Sequence, residues 1–122
     1  MHLNDVTPML QARSLEETVG FYTQSLGFSL EGTWPAEGPK VWCSLRAGRA
    51  SLMFVQADGT TEPSLTGSLY FYPPDLDALW QNLKGRVDGA SVAWEPATME
   101  HGMREFGIRD CNGYLLIFGQ DA

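Results

Sequence analysis

Few residues in this chain have side chains that could carry out chemistry. The only histidines are His2 and His101. His101 follows Glu100, and Arg104 and Glu105 come just after it, so four charged or titratable groups fall within six positions. A histidine beside carboxylates is suited to proton transfer or to metal ligation. A single loop histidine is more commonly just solvated, and His2 lies at a terminus that frays. The two cysteines, Cys43 and Cys111, are far apart in sequence. Cys111 falls in a turn with no neighbouring His or Lys to lower its pKa, which points to an inert thiol. The sequence has no Ser-His-Asp order, phosphate-cradling glycine loop or isolated carboxylate pair that stands out.

Composition narrows the classes further. At 122 residues the chain is one domain's worth of sequence, large enough for its own core. A formal charge of −7 argues against nucleic acid, whose phosphates would be repelled, and suits a cationic ligand. No apolar run approaches a membrane span and no signal peptide is evident, so neither a membrane nor an export role is expected. Two cysteines are too few for a disulfide framework, and a cytoplasmic protein with reduced thiols is expected.

The elements that would position these residues repeat. Asn4 to Ala12 reads as a strand. Ser14-Leu15-Glu16-Glu17 has the pattern of a capping box, and Leu15, Val19, Tyr22 and Leu26 form a helical stripe that Gly27 ends. Strands follow at Phe28 to Trp34, Val41 to Arg46 and Ala50 to Gln56. Ala57 to Gly67 is polar and bears Gly and Pro, as a linker does. The second half repeats the order: strand Ser68 to Tyr72, then a helix capped by Asp75 with a stripe of Leu76, Leu79, Trp80 and Leu83, then a strand at Val92 to Pro96. A closing hairpin follows, Met103 to Arg109 and Leu115 to Phe118, around Asp110-Cys111-Asn112-Gly113. The Asn-Gly pair predicts a primed turn there, with Asp110 bonding the turn amides. The chain is thus one domain, 1–122, of two βαβββ modules at 1–56 and 68–122 joined by 57–67, in the α+β class.

With these pieces in place, the sequence resembles the vicinal oxygen chelate superfamily of glyoxalases, extradiol dioxygenases and bleomycin-resistance proteins. The resemblance rests on Thr7-Pro8-Met9-Leu10 leading to Ser14–Tyr22, then Leu26-Gly27-Phe28, the hairpin Gly48–Phe54, and the final hairpin Gly102–Phe118. In that last hairpin Cys111-Asn112 replaces the family's usual middle pair. The resemblance implies paired modules whose curved sheets enclose a cup. It also implies a divalent metal, held in the family's enzymes by one residue from the first and fourth strands of each module. Those positions fall on Thr7, Met53, Ser68 and Ile117. Met and Ile offer no nitrogen or oxygen donor, and two hydroxyls do not replace the lost charge. Neither a metal nor another cofactor is expected.

Strand alternation extends the set around those four positions. Met9 joins Thr7, Ser51 and Val55 flank Met53, Tyr70 and Tyr72 follow Ser68, and Leu115 precedes Ile117. Such a lining of aromatic, aliphatic and hydroxyl groups suits an organic ligand. The same side chains could instead close on one another as a core. Trp34, Trp42 and Trp94 lie on strands or strand ends and could roof a cavity. Two functions follow. The first is a protein like the bleomycin-resistance members, binding an aromatic or cationic small molecule, an antibiotic among them, without metal and as a homodimer. The second is an enzyme of the same fold, of lyase, dioxygenase or transferase type, with a non-standard metal site or no metal, its reactive groups Glu100, His101, Arg104 and Glu105.

Overall fold

The computed structural model describes residues 1–122. The chain divides into two compact units, Met1–Pro63 and Ser64–Ala122. The first contains β1 (Met9–Ala12), α1 (Leu15–Gly20), β2 (Ser29–Trp34), β3 (Trp42–Ala47) and β4 (Ala50–Gln56). The second contains β5 (Ser68–Phe71), α2 (Leu76–Leu83), β6 (Val92–Thr98), β7 (Met103–Arg109) and β8 (Leu115–Asp121). The sheets run β1-β4-β3-β2 and β5-β8-β7-β6, the same order twice. In each, the first strand pairs parallel to the last and the other pairs are antiparallel. Both halves are therefore βαβββ units with a mixed four-stranded sheet, and the class is α+β, as the repeating pattern implied.

Each helix starts by the same device. Ser14 accepts from the Glu17 amide at 3.2 Å, and Asp75 accepts from the Ala78 amide at 3.1 Å. A glutamine at the end of the unit's last strand adds a second acceptor. Gln56 takes the Leu15 N–H at 2.9 Å, and Gln120 takes the Leu76 N–H at 2.6 Å. Amides in a helix's first turn have no partner within the helix, so these bonds satisfy groups that would otherwise be left bare. They also tie each helix to the sheet it covers.

Helix side chains cover one face of each sheet. Tyr22 is fully buried against Phe28 and Phe54, with ring centroids 5.4 and 5.2 Å away, beside Leu45 and Leu52. In the second unit Trp80 meets Phe106 at 5.1 Å, and Phe106 stacks on Phe118 at 4.9 Å, among Leu76, Leu83, Ile108 and Leu116. One position of the first stripe differs from expectation. Thr18 is fully buried, while Val19 is only half-buried. Thr18 can be buried because its hydroxyl donates to the Ser14 carbonyl at 2.8 Å, which leaves only its methyl for packing. The helix then widens to a π-turn at Phe21–Ser25, marked by Leu26 N–H bonding Phe21 C=O, and stops at Gly27, where φ is +82°.

Two other expectations are corrected. β1 begins at Met9 rather than Asn4. Pro8 has no N–H to give to a ladder; only its carbonyl takes part, accepting from Met53. The turn between β7 and β8 is not primed, because neither Cys111 nor Asn112 has positive φ. Gly113 alone does, at +87°, and its N–H bonds the Asp110 carbonyl at 3.0 Å while Asp110 and Tyr114 pair. This is a three-residue connection with a glycine bulge. The expected role of Asp110 holds: its carboxylate accepts from the Asn112 and Tyr114 amides, both at 2.9 Å.

Candidate functional site

The face of each sheet opposite its helix carries the residues of interest. In the first unit the register sets Met9 beside Met53 and Gln11 beside Val55. Thr7 comes to Ser51, with the two hydroxyl oxygens 3.0 Å apart. Across β3, Ser44 lies beside Met53 and Trp42 beside Val55. Residues opposite one another in register project to the same side, so Thr7, Met9, Ser51, Met53 and Val55 share one face, with Trp42. Leu52 and Phe54 face the helix and are buried. Met9 is 57% exposed, and Ser51, Met53 and Val55 are half-buried. Within this unit these side chains line a surface instead of filling a core. Trp34 is exposed at the end of the edge strand and roofs nothing in its own unit.

In the second unit Ser68 lies beside Leu115 and Tyr70 beside Ile117. The same face continues across β7 with Glu105, Gly107 and Arg109, opposite Gly119, Ile117 and Leu115. Trp94 of β6 lies opposite Gly107. Tyr70 and Tyr72 are in ring contact at 5.1 Å, and Tyr72 is 76% exposed. This face is the more aromatic of the two and holds a buried carboxylate.

That carboxylate belongs to Glu105, which is 5% exposed. Burying a carboxylate is costly unless it accepts hydrogen bonds. Tyr70 supplies one, its hydroxyl donating to Glu105 Oε2 at 2.6 Å. His101 Nε2 lies 3.1 Å from the same oxygen. Burial, then the bond to Glu105 and that group's charge, push the Tyr70 phenol up to about 12, so it stays a protonated donor. Both bonds fall on Oε2, which leaves Oε1 for a third donor.

Two glycines make this arrangement possible. A Cβ on Gly119 would lie 2.0 Å from the Tyr70 hydroxyl oxygen, and one on Gly107 would lie 2.8 Å from the Trp94 ring. Both rings can therefore come close to the sheet backbone, Tyr70 over β8 and Trp94 over β7. The Trp94 indole N–H is buried and has no acceptor.

The reactive quartet read from the sequence is only partly assembled. His101 and Glu105 meet, held by a turn in which the Gly102 N–H bonds the Met99 carbonyl and Gly102 has φ +90°. Arg104 points to the helix side and makes a bidentate bond to Asp77, while Glu100 is exposed. Salt bridging to Arg104 lowers the Asp77 pKa.

Met53 and Ile117 are thioether and hydrocarbon, facing Met9 and Tyr70 across their parallel strand pairs. No group of three or more His, Cys, Asp or Glu side chains lies close enough together to hold an ion. The residues present do not fit the divalent metal of the fold's enzymes.

The fold and these faces define a paired βαβββ protein without the chelating set. Residues 2–118 match the Glyoxalase/Bleomycin resistance protein/Dioxygenase superfamily, and the chain belongs to that family. Its structure is similar to TioX from Micromonospora sp. ML1, with a TM-score of 0.80 at 19% identity over 98% of this chain and 99% of that one. It is also similar to the bleomycin-binding protein of bleomycin-producing Streptomyces verticillus, solved with copper(II)-bleomycin. There the TM-score is 0.72 at 22% identity over 97% and 96% of the two chains. A bleomycin resistance determinant encoded on transposon Tn5 matches with a TM-score of 0.75 at 22% identity, over 98% of both chains. No curated protein sequence matches the chain. No helix is long and apolar enough to cross a membrane.

Sequence reasoning did not join Glu105 to Tyr70, and it passed over Gly107 and Gly119. A signal was present: Glu105 and Gly107 alternate with buried Phe106 and Ile108, which puts the charge on the face opposite the helix. The need for glycine at 119 became visible only once Tyr70 was placed.

Proposed function

We propose that this protein binds a small organic molecule of aromatic, cationic character on the helix-free faces of its sheets, without a metal. The candidate lining residues are Thr7, Met9, Ser51, Met53 and Val55 on the first unit's face and, separately, Ser68, Tyr70, Tyr72, Leu115 and Ile117 on the second unit's face. The observation that carries this reading is the ring pair of half-buried Tyr70 and exposed Tyr72 beside the buried Glu105 carboxylate. Aromatic faces attract cations by about 0.5–2 kcal/mol, and a nearby carboxylate adds to that. The structural likeness to proteins that bind bleomycin makes an antibiotic one reasonable ligand, and a homodimer with aromatic residues at its seam is the proposed assembly. Cys43 and Cys111 form no disulfide, which suits a reducing, cytoplasmic setting.

Tryptophan fluorescence during titration with bleomycin-type glycopeptides and planar cationic dyes tests the reading. A saturable response that Tyr70→Lys or Met53→Lys removes, with the fold intact by circular dichroism, supports it. No response to any member of the panel counts against it. Sedimentation at micromolar concentration tests the dimer.

The second reading, an enzyme of the same fold, has one observation in its favour, the His101–Glu105 hydrogen bond. A carboxylate that orients an imidazole is a common proton-transfer arrangement. Turnover lost on His101→Ala would favour it.

A further inference from the structure

The second unit's helix-free face holds a carboxylate with one oxygen in two hydrogen bonds and the other open to a third donor. Tyr70 is fixed to Glu105 over bare Gly119, and Tyr72 lies against Tyr70 with its ring in solvent. His101 is different: it is 59% exposed, sits on a turn, and touches Glu105 through one nitrogen. Tyr70 belongs to the frame, whereas His101 can leave.

We propose that Glu105 is the anchor for an organic cation stacked on the Tyr70–Tyr72 pair, and that protonated His101 competes with that cation for the carboxylate. This rests on the binding function proposed above and names the ligand's charge and its control. When His101 is charged it pairs with Glu105 and neutralises the anchor. When it is neutral the anchor's full charge faces the ligand. Histidine changes charge between about pH 5 and 8, so cation affinity rises with pH over that interval. Other charged groups bear on this face. Asp121 lies beside Met103 at one end of β7 and Arg109 at the other, bonded to the Gly113 carbonyl. Glu100 is exposed on the turn, and Arg104 is held on the other face by Asp77. His2 belongs to the other unit, which leaves His101 as the histidine of this one.

The experiment uses N-methylquinolinium, whose charge is fixed at every pH, and methylnaphthalene, its neutral counterpart of nearly equal shape. Calorimetry gives the affinities, and the Trp94 indole N–H resonance reports the site. The cation should bind about three- to tenfold tighter at about pH 8 than at about pH 5.5, while the neutral probe shows no pH dependence. Glu105→Gln keeps an acceptor for Tyr70 and should lower cation affinity about tenfold without changing the neutral probe's. His101→Gln, at an exposed position, should make cation binding independent of pH at its high-pH strength. Equal binding of the two probes to the native protein would overturn the anchor while leaving an aromatic site. Binding of neither would overturn both the anchor and the binding function. A pH dependence that persists in His101→Gln would overturn the competition.

Discussion

Tyr70 reaches Glu105 across the bare backbone of Gly119. Its hydroxyl stands 2.6 Å from the carboxylate, in space where a Cβ on Gly119 would lie 2.0 Å from it. The bond between β5 and β7 passes over the strand that separates them, β8. Gly119→Ala should push the phenol aside and leave a buried carboxylate with His101 as its only remaining donor. A buried polar group that loses a partner costs about 1–3 kcal/mol. Thermal unfolding should show that loss. Tyr70→Phe, which removes the donor without adding bulk, should fall in the same range. An unchanged melting temperature in both variants would mean that this bond contributes nothing.

The raised Tyr70 pKa sets a sign for stability at high pH. The phenol is pushed up to about 12 in the folded chain, above the ordinary tyrosine value of about 10. Below about pH 10 both folded and unfolded forms hold the proton, and the contribution is fully present. Between about pH 10 and 12 the unfolded chain releases it first, so stability falls as pH rises. Denaturant unfolding across that interval should show a decline that Tyr70→Phe makes shallower. An equal decline in both proteins would show that Tyr70 is not its source.

The two-unit plan was legible because it rests on local chemistry. Ser14, Asp75 and Gly27 mark helix ends by their own side chains or lack of one, and strand alternation placed Met53 and Ile117 on the faces opposite the helices. The candidate site was harder to read because it depends on register. Ser68 and Glu105 are far apart in sequence, and only the offset of β5 against β8 and of β8 against β7 aligns Tyr70 with that carboxylate. The turn at Cys111-Asn112 was misread for a related reason. Asn-Gly suits a primed turn, but Asp110 binds two amides and holds the loop in a form in which only Gly113 needs positive φ.

Gln56 and Gln120 share one role, since each takes the first amide of its unit's helix, and Gln56 adds Nε2 bonds to the Arg13 and Ala57 carbonyls at 2.9 and 3.2 Å. Replacing either with Ala should cost about 0.5–2 kcal/mol, the range for losing a helix-terminal acceptor. Hydrogen exchange should localise the effect, with faster exchange at Leu15 in one variant and at Leu76 in the other. Protection unchanged at those amides would show that the glutamines are dispensable.

The donor set makes a prediction about metals. Thr7, Met53, Ser68 and Ile117 offer two hydroxyls, a thioether and a hydrocarbon, a poor match for a divalent ion that takes imidazole or carboxylate ligands. Protein equilibrated with Zn, Mn and Ni and then desalted should retain less than about a tenth of an equivalent of each. Retention near one metal per chain, lost on His101→Ala, would favour the enzyme reading.

Adjacent positions on β4 decide whether the first unit's helix-free face is a surface or an interior. Phe54 is fully buried against Tyr22, and Met53 is half-buried on the other side. Phe54→Ala opens a cavity among rings that cannot collapse and should cost about 3–5 kcal/mol. Met53→Ala removes a side chain that already meets solvent, so its cost should stay near or below about 1 kcal/mol. Chemical denaturation of the two variants at one protein concentration makes the comparison. If Met53→Ala proves as costly as a core substitution, that face is filled by its own side chains or by a second copy of the chain. A dependence of the cost on protein concentration separates those two cases, since only the second couples to assembly. A small cost at Met53 leaves the face free for the ligand that its composition suits.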